Sequence, residues 1–192
     1  PATVGLMILS TPIVRLLFER GAFSPYATAI TSQALFYYSL GLTFFATVKI
    51  ITSAFYSLKD TATPVKTAFV CLSTNIVLNL ILMQFMGVGG LALSTSISSL
   101  LNVTLLSLIL RQRIGRWATG DLTRVIYQTV IASIIMGILC YVLAYRIFAD
   151  NKLLAVIVPI FVGVCSYLAF SYWLNISGCR ELMRSVYKKV IK

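Results

Sequence analysis

Asn75 and Asn79 stand four residues apart inside an otherwise apolar run, so on a helix they share one face. Carboxamides in a hydrocarbon setting need partners, and they either bridge neighbouring helices or line a polar site. A second run, Gly89 to Asn102, is rich in small and hydroxyl residues (Gly89, Gly90, Ala92, Ser94, Thr95, Ser96, Ser98, Ser99). Close helix packing accounts for such a run on its own. The two runs are joined by Met86-Gly-Val-Gly-Gly90, short enough only for a tight hairpin. Asn79 and Thr95 lie at similar distances from that turn, so they reach the same depth and are expected to face each other. Lys49 is the other candidate. It falls about seven residues inside a third apolar run, roughly 10 Å deep at the rise of an α-helix. An intramembrane lysine marks either a functional site or a side chain that snorkels to the headgroups. Ser53, one turn on, would complete a Ser/Lys nucleophilic pair, but no oxyanion donors accompany it.

The elements that hold these residues are membrane spans. The chain has 192 residues, 59% hydrophobic and 11% charged, with a mean hydropathy of +0.93. Soluble domains average about 25% charged, so an all-α polytopic membrane bundle is expected. Apolar runs place about six spans at 2–18, 34–56, 64–86, 89–110, 125–145 and 153–174. Ser24 with Pro25 behind it suits a cap and first helical position. Thr63 with Pro64 is read the same way, after a turn carrying Lys59 and Asp60. Residues 111–124 form the longest polar loop, and 146–152 read as an ordinary external turn. The tail from Cys179 to Lys192 spaces Leu182, Val186 and Val190 among basic residues, as an interfacial helix on anionic lipid would. The chain opens abruptly inside a hydrophobic run and is read as the C-terminal piece of a larger membrane protein.

The net charge of +11 reflects basic residues gathered in short loops and the tail. That is a topology signal and not a nucleic-acid stripe, so no nucleic-acid partner is expected. Lys59, Lys66, Arg111, Arg113, Arg116, Arg124 and the tail residues Arg180, Arg184, Lys188, Lys189 and Lys192 fall on one side, against Arg15, Arg20, Arg146 and Lys152 on the other. The C-terminus is therefore expected in the cytoplasm. Four scattered cysteines and no histidine give no zinc or haem ligand set. Only five acidic residues are present, which disfavours a metal-dependent enzyme on polyprenyl-phosphate lipids, so no enzyme activity is expected.

Three motifs then point to a family. Leu17 to Ser24 (LFERGAFS), Phe55 to Pro64 (FYSLKDTATP) and Gly89 to Ser96 (GGLALSTS) resemble, in order and spacing, the C-terminal part of the MurJ (MviN) lipid II flippases. These belong to the multidrug/oligosaccharidyl-lipid/polysaccharide exporter superfamily; a polysaccharide-lipid flippase or cation-coupled drug antiporter of that superfamily is the alternative. The resemblance implies a fourteen-helix transporter of the bacterial inner membrane. It moves the lipid-linked peptidoglycan precursor from the cytoplasmic to the periplasmic leaflet by alternating access. Residues 1–112 would then be four spans of the second lobe, 113–178 the two extra C-terminal helices, and 179–192 a basic cytoplasmic tail. The family's pyrophosphate-binding arginines lie in a first lobe that this chain lacks. The last two spans would form the groove for the polyprenyl tail. Some members carry a second-lobe sodium site, and its positions fall here on Asn75, Asn79, the Leu91 carbonyl and Thr95. Sodium is the only metal ion implied, and no cofactor is. The second position, an aspartate in some members, is Asn79 here, and a further family aspartate lies outside this chain.

Overall fold

The computed structural model of the chain describes residues 1–19, 24–115, 119–149 and 151–173. The described residues form helices α1 (Ala2–Phe18), α2 (Pro25–Ser57), α3 (Ala62–Met86), α4 (Val88–Ile114), α5 (Thr119–Val142) and α6 (Leu154–Trp173), with a π-helical turn, Leu143–Ile147, after α5. No strand occurs among them. Five of the helical segments are long and apolar enough to cross a membrane; α1, at 17 residues, is shorter. The bundle is all-α, as composition implies.

The helices run further than hydropathy alone suggests. α2 starts at Pro25, where the Ser24 hydroxyl accepts the Ala27 N–H and proline occupies the first turn. Its 33 residues form one helix that begins well before the apolar run at Ala34. The polar loop expected over 111–124 is largely helical. α4 continues to Ile114, because Arg111 and Arg113 in its last turn suit the negative end of the helix dipole, and Gly115 stops it at φ 84°. The external turn expected at 146–152 begins instead inside the π-helical turn, which closes with the Phe148 N–H on the Leu143 carbonyl. The tail at 179–192 lies outside the described residues.

The turn between α2 and α3 is built around Asp60 and not, as the sequence suggests, around a capping Thr63. One Asp60 oxygen accepts the Thr63 N–H at 3.0 Å and the other accepts the Thr63 hydroxyl at 2.6 Å. A carboxylate is the stronger acceptor at the positive end of a helix, so Thr63 becomes a donor inside the first turn of α3. Lys59 adopts φ 58°, the left-handed conformation that lets the chain reverse in so few residues.

The described chain falls into two compact units. In residues 13–117, α4 packs against both α2 and α3, which scarcely touch each other. This central position explains the small residues of α4. The Ser96 hydroxyl donates to the Tyr37 carbonyl at 2.6 Å, and a methyl group on Gly41 would collide with Ser96. Further along, Ile51 and Phe55 of α2 bury against Leu106 and Leu110 of α4. In the other unit, residues 1–12 pack with α5. Val4 and Ile8 lie against Gly137, and the Tyr145 hydroxyl donates to the Ile8 carbonyl. α6 approaches α5 at Gly163, beside Cys140, whose thiol donates to the Pro159 carbonyl.

Candidate functional site

The α3–α4 hairpin brings the candidate polar residues together. Gly87, at φ 55° and ψ −130°, makes the whole turn between Met86 and Val88. Directly after it, Gly90 lies against the α3 backbone: an added Cβ would sit 2.5 Å from the Leu82 carbonyl carbon and 3.0 Å from Met83 N, and nearer still to the Leu82 oxygen. Only glycine permits this approach. It draws α4 close enough for short polar side chains to bridge the two helices.

One turn beyond Gly90, Ser94 reaches Asn79. The Ser94 hydroxyl donates to Asn79 Oδ1, and Asn79 Nδ2 donates to Asn75 Oδ1 at 2.9 Å. Ser94 Oγ also lies 2.9 Å from the Leu91 carbonyl, which accepts the Thr95 hydroxyl at the same distance. Asn75 and Asn79 are thus joined to α4 through Ser94, Thr95 bonds back to the Leu91 carbonyl, and the residue that meets Asn79 is Ser94. Depth counted from the turn gives the level of a residue and not its direction. Adjacent helical positions differ by about 100° around the axis, and Ser94, four residues after Gly90, is the one aimed at α3.

The cluster gathers five oxygens and two carboxamide nitrogens. Asn75 Oδ1, Asn79 Oδ1, Leu91 O, Ser94 Oγ and Thr95 Oγ1 are tied together by one amide and two hydroxyl donors. Ser94 has a single hydroxyl hydrogen within reach of two acceptors. Such a site presents hard oxygen acceptors. It suits a small hard cation and offers nothing to a soft metal; no cluster of three or more His, Cys, Asp or Glu occurs among the described residues. Ser94 is fully buried, whereas Asn75, Asn79, Leu91 and Thr95 keep partial exposure.

Lys49 is not part of this cluster. It is exposed on α2, and Gly41 lies level with Ser96, so Lys49 is level with about residue 104. That is roughly 13 Å along the axis from Thr95. Ser53 is exposed as well. At the far end of the hairpin, Arg113 of α4 pairs with Asp60 at 2.7 Å, and the Asp60 side chain is only 12% exposed. Its carboxyl is held below the usual range by the Thr63 hydroxyl and N–H, helped by the Arg113 guanidinium. At the opposite end, Tyr26, Ile30, Gln33, Phe85 and Val88 line an open pocket of about 740 Å³.

The family model "Lipid II flippase MurJ" matches residues 1–163. The lipid II flippase MurJ of Thermosipho africanus is 33% identical over 171 residues, covering 89% of this chain and 34% of that protein. A probable lipid II flippase MurJ of Thermotoga maritima is 32% identical over 184 residues, covering 96% and 37%. One from Vibrio cholerae is 43% identical over 106 residues, covering 55% and 20%. Among solved structures, a lipid II flippase MurJ in an inward closed conformation superposes with a TM-score of 0.78 at 32% identity, covering 95% of this chain and 36% of that one. The chain thus spans between a fifth and just over a third of the length of these relatives.

Proposed function

The chain belongs to the lipid II flippase MurJ family, and from that membership we propose that it is the C-terminal part of a transporter that carries the lipid-linked peptidoglycan precursor across the bacterial inner membrane. The observation that carries this reading is the family match over residues 1–163. Residues 1–112 contribute to the second lobe, 113–178 supply the two C-terminal helices, and the tail lies in the cytoplasm against anionic lipid. Alternating access requires one lobe to rock against another around a central site. Residues 1–192 therefore act only together with a first lobe, which supplies the headgroup contacts.

Within this lobe, Asn75, Asn79, Leu91, Ser94 and Thr95 hold sodium. The convergence of five hard oxygens in their cluster supports this assignment. A bound cation supplies positive charge, and hence a link to the ion gradient. The chain's own part is to gather neutral oxygens and to fix them by the Gly90 approach. Lys49 remains a candidate charge on the lobe surface.

The test uses the full-length protein in cells depleted of their own flippase. Expression should restore movement of the precursor to the outer leaflet, read by its accessibility to an externally added modifying enzyme. Asn79→Asp should tighten sodium binding, and Thr95→Val should weaken it. Precursor that stays in the inner leaflet would refute the flippase reading. Sodium dependence unchanged in Thr95→Val would refute the cation cluster alone.

A further inference from the structure

The α3–α4 hairpin keeps one register from end to end. Leu82 meets Gly90 near the turn, Asn79 meets Ser94, and Asp60 meets Arg113 at the far end. In two antiparallel helices of equal rise, each step back along α3 is matched by a step forward along α4. The contacts of Leu82 with Gly90 and of Asn79 with Ser94 set the register to within one residue, and the reach of Arg113 to Asp60 at the far end agrees with it. Carried on along the two helices, that register sets Asn75 level with about Ser98, and Cys71 with about Asn102.

Ser98 and Asn102 carry an anomaly at those levels. Ser98 Oγ and Asn102 Oδ1 are both buried and have no hydrogen-bond partner, and Ser98 as a whole is 6% exposed. Neighbouring hydroxyls on α4 bond back to their own helix, Thr95 to Leu91 and Ser99 to Thr95. Ser98 does not. Buried polar atoms in native proteins are normally satisfied, and an orphan calls for an occupant that supplies positive charge or a donated hydrogen. The two residues are four apart, with about 5–6 Å between their Cβ atoms, a span that one small ion bridges. Asn102 Oδ1 can only accept, which requires an occupant positive on the side facing it.

We propose that Asn75, Ser98 and Asn102 form a second position for an alkali cation, next along the hairpin from the Asn79–Thr95 cluster and occupied in alternation with it. The assignment rests on the sodium reading given above. Asn75 belongs to both positions, since it accepts from Asn79 and stands level with Ser98. The positions lie one turn apart, about 6 Å, too close for two buried charges to be held together. An ion therefore steps between them. With three oxygens against five, the second position is the weaker of the two and serves release and entry.

The test is radioactive sodium binding to the purified full-length protein, with sodium-dependent thermal stabilisation as a second readout. Thr95→Val is expected to weaken binding. Asn102→Asp, added to Thr95→Val, is expected to restore it by about tenfold or more, because it places a carboxylate at the second position. Ser98→Ala in that double variant should abolish the rescue. No rescue by a folded Asn102→Asp protein overturns the second position and leaves the first intact. If Thr95→Val binds sodium normally, the first cluster fails, and tightening by Asn102→Asp alone then decides the second. Should Asn102→Asp not fold, Ser98→Ala in the otherwise unaltered protein decides. Wash-out of sodium should slow about fivefold with half-saturation held within about twofold, and an unchanged wash-out rate overturns the proposal.

Discussion

Gly90→Ala is the sharpest perturbation of the hairpin. The new methyl carbon would sit 2.5 Å from the Leu82 carbonyl carbon and 3.0 Å from Met83 N, both backbone atoms that no rotamer change can move. Carbon atoms rest at about 3.5–4.0 Å, so α4 must back away from α3 by on the order of 1 Å. A displacement of that size breaks the Ser94–Asn79 contact one turn on. Overpacking costs about 1–3 kcal/mol, and a lost buried hydrogen bond adds about 1 kcal/mol. The expected destabilisation is about 2–4 kcal/mol, accompanied by weaker sodium binding. Two glycines serve as controls. A methyl on Gly89 meets the Gln33 and Tyr37 side chains at 3.1–3.3 Å, and these can shift, so Gly89→Ala should cost less. A methyl on Gly5 meets only Met136 at 3.8 Å, so Gly5→Ala should be neutral or gain up to about 1 kcal/mol from helix propensity. Thermal melts of the three full-length variants in detergent, with and without sodium, give the ranking. Equal melting temperatures for Gly90→Ala and Gly5→Ala would refute the close-approach argument.

Two further outcomes are expected. Asp60→Asn should loosen the turn between α2 and α3, raising amide exchange at Thr63 and Arg113. Because the folded Asp60 carboxyl is held below its ordinary value, its contribution is complete above that value and disappears only as pH falls through the lowered one. A Thr63 protection factor, exchange taken relative to the intrinsic rate at each pH, that stays flat between pH 7 and pH 5 and falls only in stronger acid is the matching profile, and a fall already at pH 6 would contradict it. In a cysteine-free full-length background, a single cysteine at Lys59 should resist a membrane-impermeant reagent added from outside, and one at Lys152 should react. Labelling in the opposite sense would reverse the topology drawn from the basic residues.

Hydropathy located the helices well because uninterrupted apolar runs have no other stable form in lipid. It misjudged where they end. Arg111 and Arg113 read as loop residues, yet each sits in the last turn of α4, and Arg113 finds Asp60 across the hairpin. Pairing between distant residues is invisible to a local window. Thr63 was misread for a related reason: its neighbour Asp60 competes for the same N–H and is the stronger acceptor. The shared face of Asn75 and Asn79 was legible from their spacing alone. Ser94 was not singled out, although a signal existed in Gly90. A glycine placed for close approach marks the side of α4 that meets α3, and Ser94 lies four residues further along that side. The unsatisfied oxygens of Ser98 and Asn102 could be found only with the register in hand.

The unbroken register also dictates how the hairpin can be assembled. Its contacts range from Leu82 with Gly90, eight residues apart, to Asp60 with Arg113, fifty-three apart. Closing a short loop costs less entropy than closing a long one, so pairing zips outward from Gly87. The Asp60–Arg113 pair forms last, after both helices lie side by side through their whole length. During synthesis Asp60 waits without its partner until some fifty more residues have emerged. The ion pair thus reports completed insertion: a hairpin slipped by one turn would leave both charges unmatched at the membrane surface.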